Sequence, residues 1–483
     1  MTRFKWLQLT PVLAALTSLS TTAVAADPPK QPAAGTPTST TQTTQATAPA
    51  PSPDATSAAP TTVTTQAPAP QAAPPAADEL PPGSFKIPGT KTTLTLSGYA
   101  QLDVMYDFKG RDPNIEGNDY AIHAGQIPLD YTYESREKGN QLYMTARTSR
   151  IGFSTKTESD IADIGVKIEG DFNSGNLLSG QTFTNSVLFR LRHGYGTLSG
   201  KYGTLLIGQS WSTFLDLPSY AETVDFNGPG DIALIRQPQI RYTIPLPSRF
   251  TLALAVENAP GTDQNGITST TPTRREETIP DLVAVLGVSG DWGSASVGGV
   301  TINYKDAAAP PPAGGGTPAD GYSKQAWGGR AAAAIKLPWG DTFRGLFVGG
   351  RGIGRYIFNA GQQGQGVTDT GSDAAGGFVL WDAIAYHVDY THVWSPILRS
   401  NVVWSQTYFK NNGTVIYTGT DANVDNLNSR IDQLFINTFF TLTKQVEFGL
   451  EYSFNQRHTF SAVDDQSHGT QHRIASYAHF NFF

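Results

Sequence analysis

Between Thr93 and Phe108 the chain alternates apolar and polar residues. Leu94, Leu96, Gly98, Ala100, Leu102, Val104, Tyr106 and Phe108 share one side, and Thr93, Thr95, Ser97, Tyr99, Gln101, Asp103, Met105 and Asp107 share the other. Successive side chains of a strand point to opposite faces, so this period of two predicts a strand with one greasy and one wet face. It outruns the roughly 5 or 6 residues of an ordinary globular strand. The pattern returns at Ile164–Phe172, at Phe250–Glu257 and most cleanly at Val446–Phe454, where Val446, Phe448, Leu450, Tyr452 and Phe454 oppose Glu447, Gly449, Glu451 and Ser453. Few windows keep apolar residues at helical spacing and glycine is frequent in the segments, so helix loses.

Counting such segments and their turns predicts about sixteen strands, an even number suited to a closed antiparallel barrel that spans a membrane. Among them are 142–157, 187–198, 232–245, 342–353, 378–393 and 471–483. Their connections alternate between short and long. Ser159–Ala162, Ser199–Lys201, Pro245–Arg249, Gly290–Trp292, Pro338–Asp341, Trp394–Pro396 and Thr443–Gln445 are short, as periplasmic turns are, and the long ones fall on the extracellular side. Trp292, Trp339 and Trp394 all sit in short turns, where an interfacial aromatic girdle belongs.

One long connection differs from the rest. Asp306–Tyr322 is rich in Ala, Pro and Gly, and Asn359–Gly377 in Gln, Gly and Asp, which suits solvent loops. Ser212–Asp231 instead joins Phe214, Leu215, Leu217, Tyr220, Val224 and Phe226 to the acids Asp216, Glu222 and Asp225. Connections of about 20 residues are usually functional or disordered. An apolar one must lie against a wall, so this loop is expected to fold into the barrel and narrow it.

Composition agrees with an all-β chain. Gly (49), Phe (24), Tyr (19) and Trp (8) are plentiful, and only 16% of residues are charged. No apolar run reaches the roughly 18 residues of a helical span, and a β-barrel hides its apolar residues from such a scan. A secreted all-β protein is the bland alternative. Cysteine is absent, which excludes disulfides, thiolate metal sites and cysteine nucleophiles. The formal charge of −7 argues against a general nucleic-acid binder.

The ends carry their own signals. Met1–Ala25 has Arg3 and Lys5, an apolar stretch Leu7–Leu19 and small residues at Ala23-Val24-Ala25, the layout of a secretory signal peptide. Residues 26–83 are Pro, Ala, Thr and Gln and cannot bury enough surface to order themselves, which predicts a disordered periplasmic arm before a barrel at 84–483. The chain closes on Phe480, Phe482 and Phe483, similar to the C-terminal signal by which bacterial barrels are recognised by their insertion machinery.

Candidate chemistry is basic. With Phe189 and Leu191 outward, Arg190 and Arg192 point into the lumen; Arg150, Lys167 and Arg241 follow by the same parity, and Arg330 lies between Gly329 and Ala331. Arg236, just before Gln237-Pro238, is expected at a bulge that aims it at the constriction or anchors the loop. Arg147 and Arg150 have opposite parity, so either a bulge separates them or Arg147 faces lipid or a neighbouring subunit. Guanidinium groups match carboxylates and phosphates with paired hydrogen bonds, and rings of basic side chains favour anions. The competing reading is that Glu169, Asp171, Asp216, Glu222 and Asp225 neutralise them and they merely hold the loop. Catalytic and metal signals are weak. His387 and Asp389 share a face that His392 does not, Asp421, Asp425 and Asp432 match no calcium loop, and no nucleophile elbow is present. No cofactor, metal or enzymatic role is expected.

The runs SFKIPGTKTTLTLSGYAQLDVMYDF, SRIGFSTKT, KIEGDF, FRLRHGYG, LLIGQSWSTF and RQPQIRYT, in that order, resemble the DcaP-like outer-membrane porins. The resemblance covers roughly 84–483 and is most specific up to Thr243. It implies a homotrimer of sixteen-stranded barrels, each constricted by its third long loop, taking up small anionic solutes such as dicarboxylates. It also implies Arg150, Arg190, Arg192, Arg236 and Arg241 as pore arginines. The arm lacks the coiled-coil heptads of that family. The reading is thus a passive outer-membrane porin for small anionic solutes, bounded by outer-membrane lipid and lipopolysaccharide. The rivals are a non-selective or phosphate porin, a barrel enzyme acting at the surface, and a structural barrel whose arm tethers the membrane to the cell wall.

Overall fold

The computed structural model describes residues 80–110, 121–130, 139–173, 188–258, 267–268, 279–305, 323–361, 367–369, 378–410, 427–463 and 466–483. The expected signal peptide, nearly all of the expected arm, and Asp421 and Asp425 lie outside them.

Sixteen strands form one closed antiparallel barrel. They are β1 (Thr92–Lys109), β2 (Arg150–Thr157, preceded by the collinear piece Gln141–Thr145), β3 (Asp163–Asp171), β4 (Arg190–Gly200), β5 (Gly203–Trp211), β6 (Arg236–Pro245), β7 (Phe250–Glu257) and β8 (Asp281–Gly290). Then follow β9 (Gly293–Lys305), β10 (Ser323–Lys336), β11 (Thr342–Arg351), β12 (Asp382–Ser395), β13 (Leu398–Lys410), β14 (Asn428–Thr441), β15 (Val446–Val463) and β16 (Gln466–Asn481). Each pairs with its neighbours in sequence, and β1 pairs with β16 from Tyr99↔Asn481 to Lys109↔His472, which leaves no open edge. That closure lets neighbouring strands satisfy one another's backbone groups around the whole barrel.

The alternation sorts side chains as expected. On β15 the outward Leu450 is 58% exposed, while the inward Glu451 beside it is 2% exposed. At the short-turn end Trp292, Trp339 and Trp394 are exposed, and one carboxylate ties two turns together. Asp341 accepts from Trp339 Nε1 (2.8 Å), Tyr390 Oη (2.5 Å) and the Val393 amide (2.9 Å), and lies 2.9 Å from His392 Nδ1. The Tyr390 hydroxyl, with these others, holds the Asp341 carboxyl well below the usual carboxylate range. At the C-terminus the Phe482 amide bonds to the Gly98 carbonyl at 3.1 Å. Its ring covers Gly98, whose φ of +149° and lack of a side chain make room for it.

Four local expectations are corrected. The second strand is not continuous over 142–157. A turn at 146–149 adds one residue between the pairs Asp103↔Thr145 and Tyr99↔Arg150, so the parity conflict of Arg147 and Arg150 is resolved by a bulge, and Arg147 is buried. No bulge lies at Arg236–Pro238, where the register with β5 runs unbroken. Pro238 lies at the end of the pairing with β7, which begins at Gln239, and there it acts only as an acceptor, its carbonyl taking the Asn258 amide at 2.9 Å. Residues 378–380 leave the barrel strand and join a small three-stranded sheet with 367–369 and 267–268. Finally, Asn359 and Ala360, expected to open a solvent loop at 359–377, belong instead to an inward segment, 352–361. It turns inward as short helical pieces, and Ile353, Tyr356, Ile357, Asn359 and Ala360 are buried.

Candidate functional site

Three segments fill part of the lumen: 121–130, the connection between β5 and β6, and 352–361. The middle one carries Phe214, Ala221 and Ile232 into an apolar cluster with Val300, Ile302, Leu346, Val348 and Phe435 on the barrel wall. Burying such a side chain contributes about 1.5–3 kcal/mol, which fixes the loop against the wall but not its precise seat.

Polar contacts set the seat. At the start, Glu257 accepts from Ser212 Oγ (2.7 Å) and the Thr213 amide (2.6 Å). Asp216 takes Ser296 Oγ at 2.5 Å and pairs with Arg330 at 3.4 Å, while Arg330 Nε donates to the Phe214 carbonyl at 2.5 Å. Glu222 meets Arg399 at 2.6 Å, and Arg399 also holds Glu447 at 2.8 Å. Glu451 accepts the amides of Val224 and Asp225 at 2.9 and 3.0 Å. Asp225 accepts the Ile122 amide at 2.8 Å and lies 3.6 Å from Arg473. The Gly230 amide reaches Gln433 at 2.9 Å. Asp216, Glu222 and Asp225 are therefore anchors. Arg330, expected on the pore lining, has a side chain only 2% exposed and serves as the partner of Asp216.

The other cations divide. Arg150, Lys167, Arg190, Arg192 and Arg236 gather on β2, β3, β4 and the start of β6. Glu169 sits 3.5 Å from Arg150, 3.0 Å from Lys167 and 3.0 Å from Arg192. Asp171 is held by Arg190 through two bonds of 2.9 and 2.8 Å and by Arg192 at 2.7 Å. Register explains the crowding. Between Glu169↔His193 and Gly170↔Leu191 the strand β4 carries one extra residue, Arg192, so Arg192 and His193 both turn inward. Arg236 stacks on the Trp211 ring at 4.4 Å, and its Nη1 is buried with no hydrogen-bond partner among the described residues. Arg192 lies over the same ring at 5.8 Å. Five cations thus surround two carboxylates. Arg241 stands apart on β6, opposite Leu206 and Ala255, and forms no ion pair among the described residues.

Sequence reasoning missed the wall residues that hold the loop: Glu257, Arg399, Glu451 and Arg473. Parity marks Glu451 as inward, but nothing local says that it caps amides 227 residues away in sequence. His387, read as an ordinary strand residue, is another such holder, 2.7 Å from Asp231.

A family model described as the Porin subfamily matches residues 76–479. Porin Omp2b of Brucella suis biovar 1 (strain 1330) is 28% identical over 220 residues, 44% of this chain and 52% of that protein. Omp2b of Brucella abortus (strain 2308) is 27% identical over the same length. The chain spans about half the length of the curated relatives it matches. Among solved structures, the outer membrane channel DcaP of Acinetobacter baumannii superposes with a TM-score of 0.65 at 22% identity, over 83% of this chain and 100% of that one. An anion-selective porin from Comamonas acidovorans gives 0.50 at 12% identity, over 81% and 100%. At these identities the likeness is one of fold. With the family match running along most of a closed barrel whose lumen holds an in-folded loop, the chain belongs to the Porin subfamily of outer-membrane β-barrels and has a DcaP-like fold.

Proposed function

We propose that this porin passes small anionic hydrophilic solutes, dicarboxylate-like in chemistry, by passive diffusion past Arg150, Lys167, Arg190, Arg192, Arg236 and Arg241. The observation that carries the reading is the imbalance, among the described residues, of five cations gathered near Glu169 and Asp171, with no ion pair to Arg236 among those residues. Two unit charges at 4 Å and an effective dielectric near 20 interact by about 4 kcal/mol, so a small surplus is enough to bias ion entry. The side chains of Lys167 and Arg190 are 30% and 31% exposed, which supports their reach into the lumen water.

A general-diffusion pore is the second reading, favoured by the pairing of Arg190 and Arg192 with Asp171. Reversal potential across a KCl gradient in a planar bilayer separates the two. The proposal expects chloride to carry more current than potassium, and a cation-preferring or indifferent pore would reject it. The proposal further takes the chain as a homotrimer in the outer membrane, with Met1–Ala25 as a cleaved leader, the 26–83 arm in the periplasm, and the exposed Phe480, Phe482 and Phe483 as the insertion signal.

A further inference from the structure

His387 stands in the middle of β12, inward and 1% exposed, between the outward Tyr386 and Val388. Its ring touches the in-folded loop at two separate points. Nδ1 lies 2.7 Å from Oδ2 of Asp231, and Nε2 lies 2.8 Å from the main-chain oxygen of Ser219. A carbonyl oxygen has no proton to give, so Nε2 must carry one. A neutral ring would then offer only a lone pair at Nδ1, aimed at a carboxylate lone pair. The 2.7 Å contact therefore needs a proton of its own. Whether that proton sits nearer nitrogen or oxygen, the pair holds one more than a neutral imidazole beside a carboxylate.

The surroundings leave His387 as the partner for the charge. Asp231 is fully buried and, among the described residues, takes the Ser405 hydroxyl at 3.4 Å and has no other ion pair. Asp389, on the strand of His387 itself, is matched by Arg344 of β11 at 2.8 Å. Directly across, β11 presents Leu346 and β13 presents Ser405, both uncharged.

We infer that His387 is a positioning residue of the porin: the proton it shares with Asp231 lets one imidazole pin both limbs of the loop to the barrel wall. Its loss in alkaline solution frees one limb. The sign follows from the geometry. The protonated pair fits the folded loop, so attachment is complete at low pH and weakens as pH rises. The inference rests on the loop lying in the lumen, not on anion preference.

Single-channel current noise against pH tests it, in the wild type and two variants. The wild-type open state should be quiet in mild acid and several-fold noisier in mild alkali. In Asp231→Asn the amide NH2 can donate to Nδ1 while Nε2–H keeps Ser219, so both bonds persist on a neutral ring and the channel should stay quiet throughout. His387→Gln can donate to one acceptor while turning an oxygen toward the other, and should be noisy at every pH. A wild type whose noise ignores pH, or an Asp231→Asn channel that titrates like the wild type, overturns the inference. If His387→Gln does not fold, the first two channels still decide. Reversal potential, which reads the cation cluster, is a separate observable.

Discussion

Two arginines of the same cluster carry different loads. Arg192 is the extra residue of a bulge, and its 2% exposed side chain bridges Glu169 and Asp171. Replacing it by alanine leaves Glu169 to Arg150 and Lys167 and Asp171 to Arg190, and the loss of its buried hydrogen bonds costs about 1–3 kcal/mol, so Arg192→Ala should lose some resistance to heat in detergent gels. Arg236 has an aromatic neighbour and no carboxylate partner among the described residues, so Arg236→Ala removes charge without orphaning an acid there. It should keep wild-type heat resistance and shift the reversal potential toward zero. Equal heat sensitivity in the two variants would show that this division of roles is mistaken. Parity made the inward arginines of β2 to β4 legible in the sequence, because alternation is a local rule. Their division was not legible, since it depends on which acids the bulge brings within reach.

At the scale of elements, the loop between β5 and β6 is held by several wall strands rather than by its own geometry. Arg399 of β13 is the busiest holder, spanning Glu222 of the loop and Glu447 of β15 and lying 4.5 Å from the Phe439 ring. Arg399→Ala should detach that limb and raise single-channel conductance, because the two carboxylates left behind repel each other and draw water. An unchanged conductance would mean that the apolar cluster alone seats the loop. That this connection folds inward was legible, since Phe214, Leu215 and Val224 need a wall. The inward turn at 352–361 was not. Its first residues continue the alternation of β11, and only the filled lumen shows that Ile353, Tyr356 and Ile357 have a core to join.

For the whole molecule, closure of β1 on β16 makes the barrel complete without the arm. A chain lacking 26–83 should therefore insert with wild-type conductance and give the same particle mass by light scattering in detergent, three chains on the reading above. Loss of the trimer would give the arm an assembly role despite its lack of heptads, and loss of envelope attachment alone would support a tether.

The alternation by itself determined that the chain forms a closed antiparallel barrel, roughly where its strands run and which face of each meets water. A period of two is set by covalent geometry, and a strand shifted by one residue would turn its whole apolar face from lipid to lumen. Only the tertiary structure decided how the lumen charges are spent: Arg330, Arg399 and His387 on holding the loop, Arg236 and Arg241 outside any ion pair among the described residues. Those pairings join residues more than a hundred positions apart. Coulomb's law acts on distance in space, which local sequence does not encode.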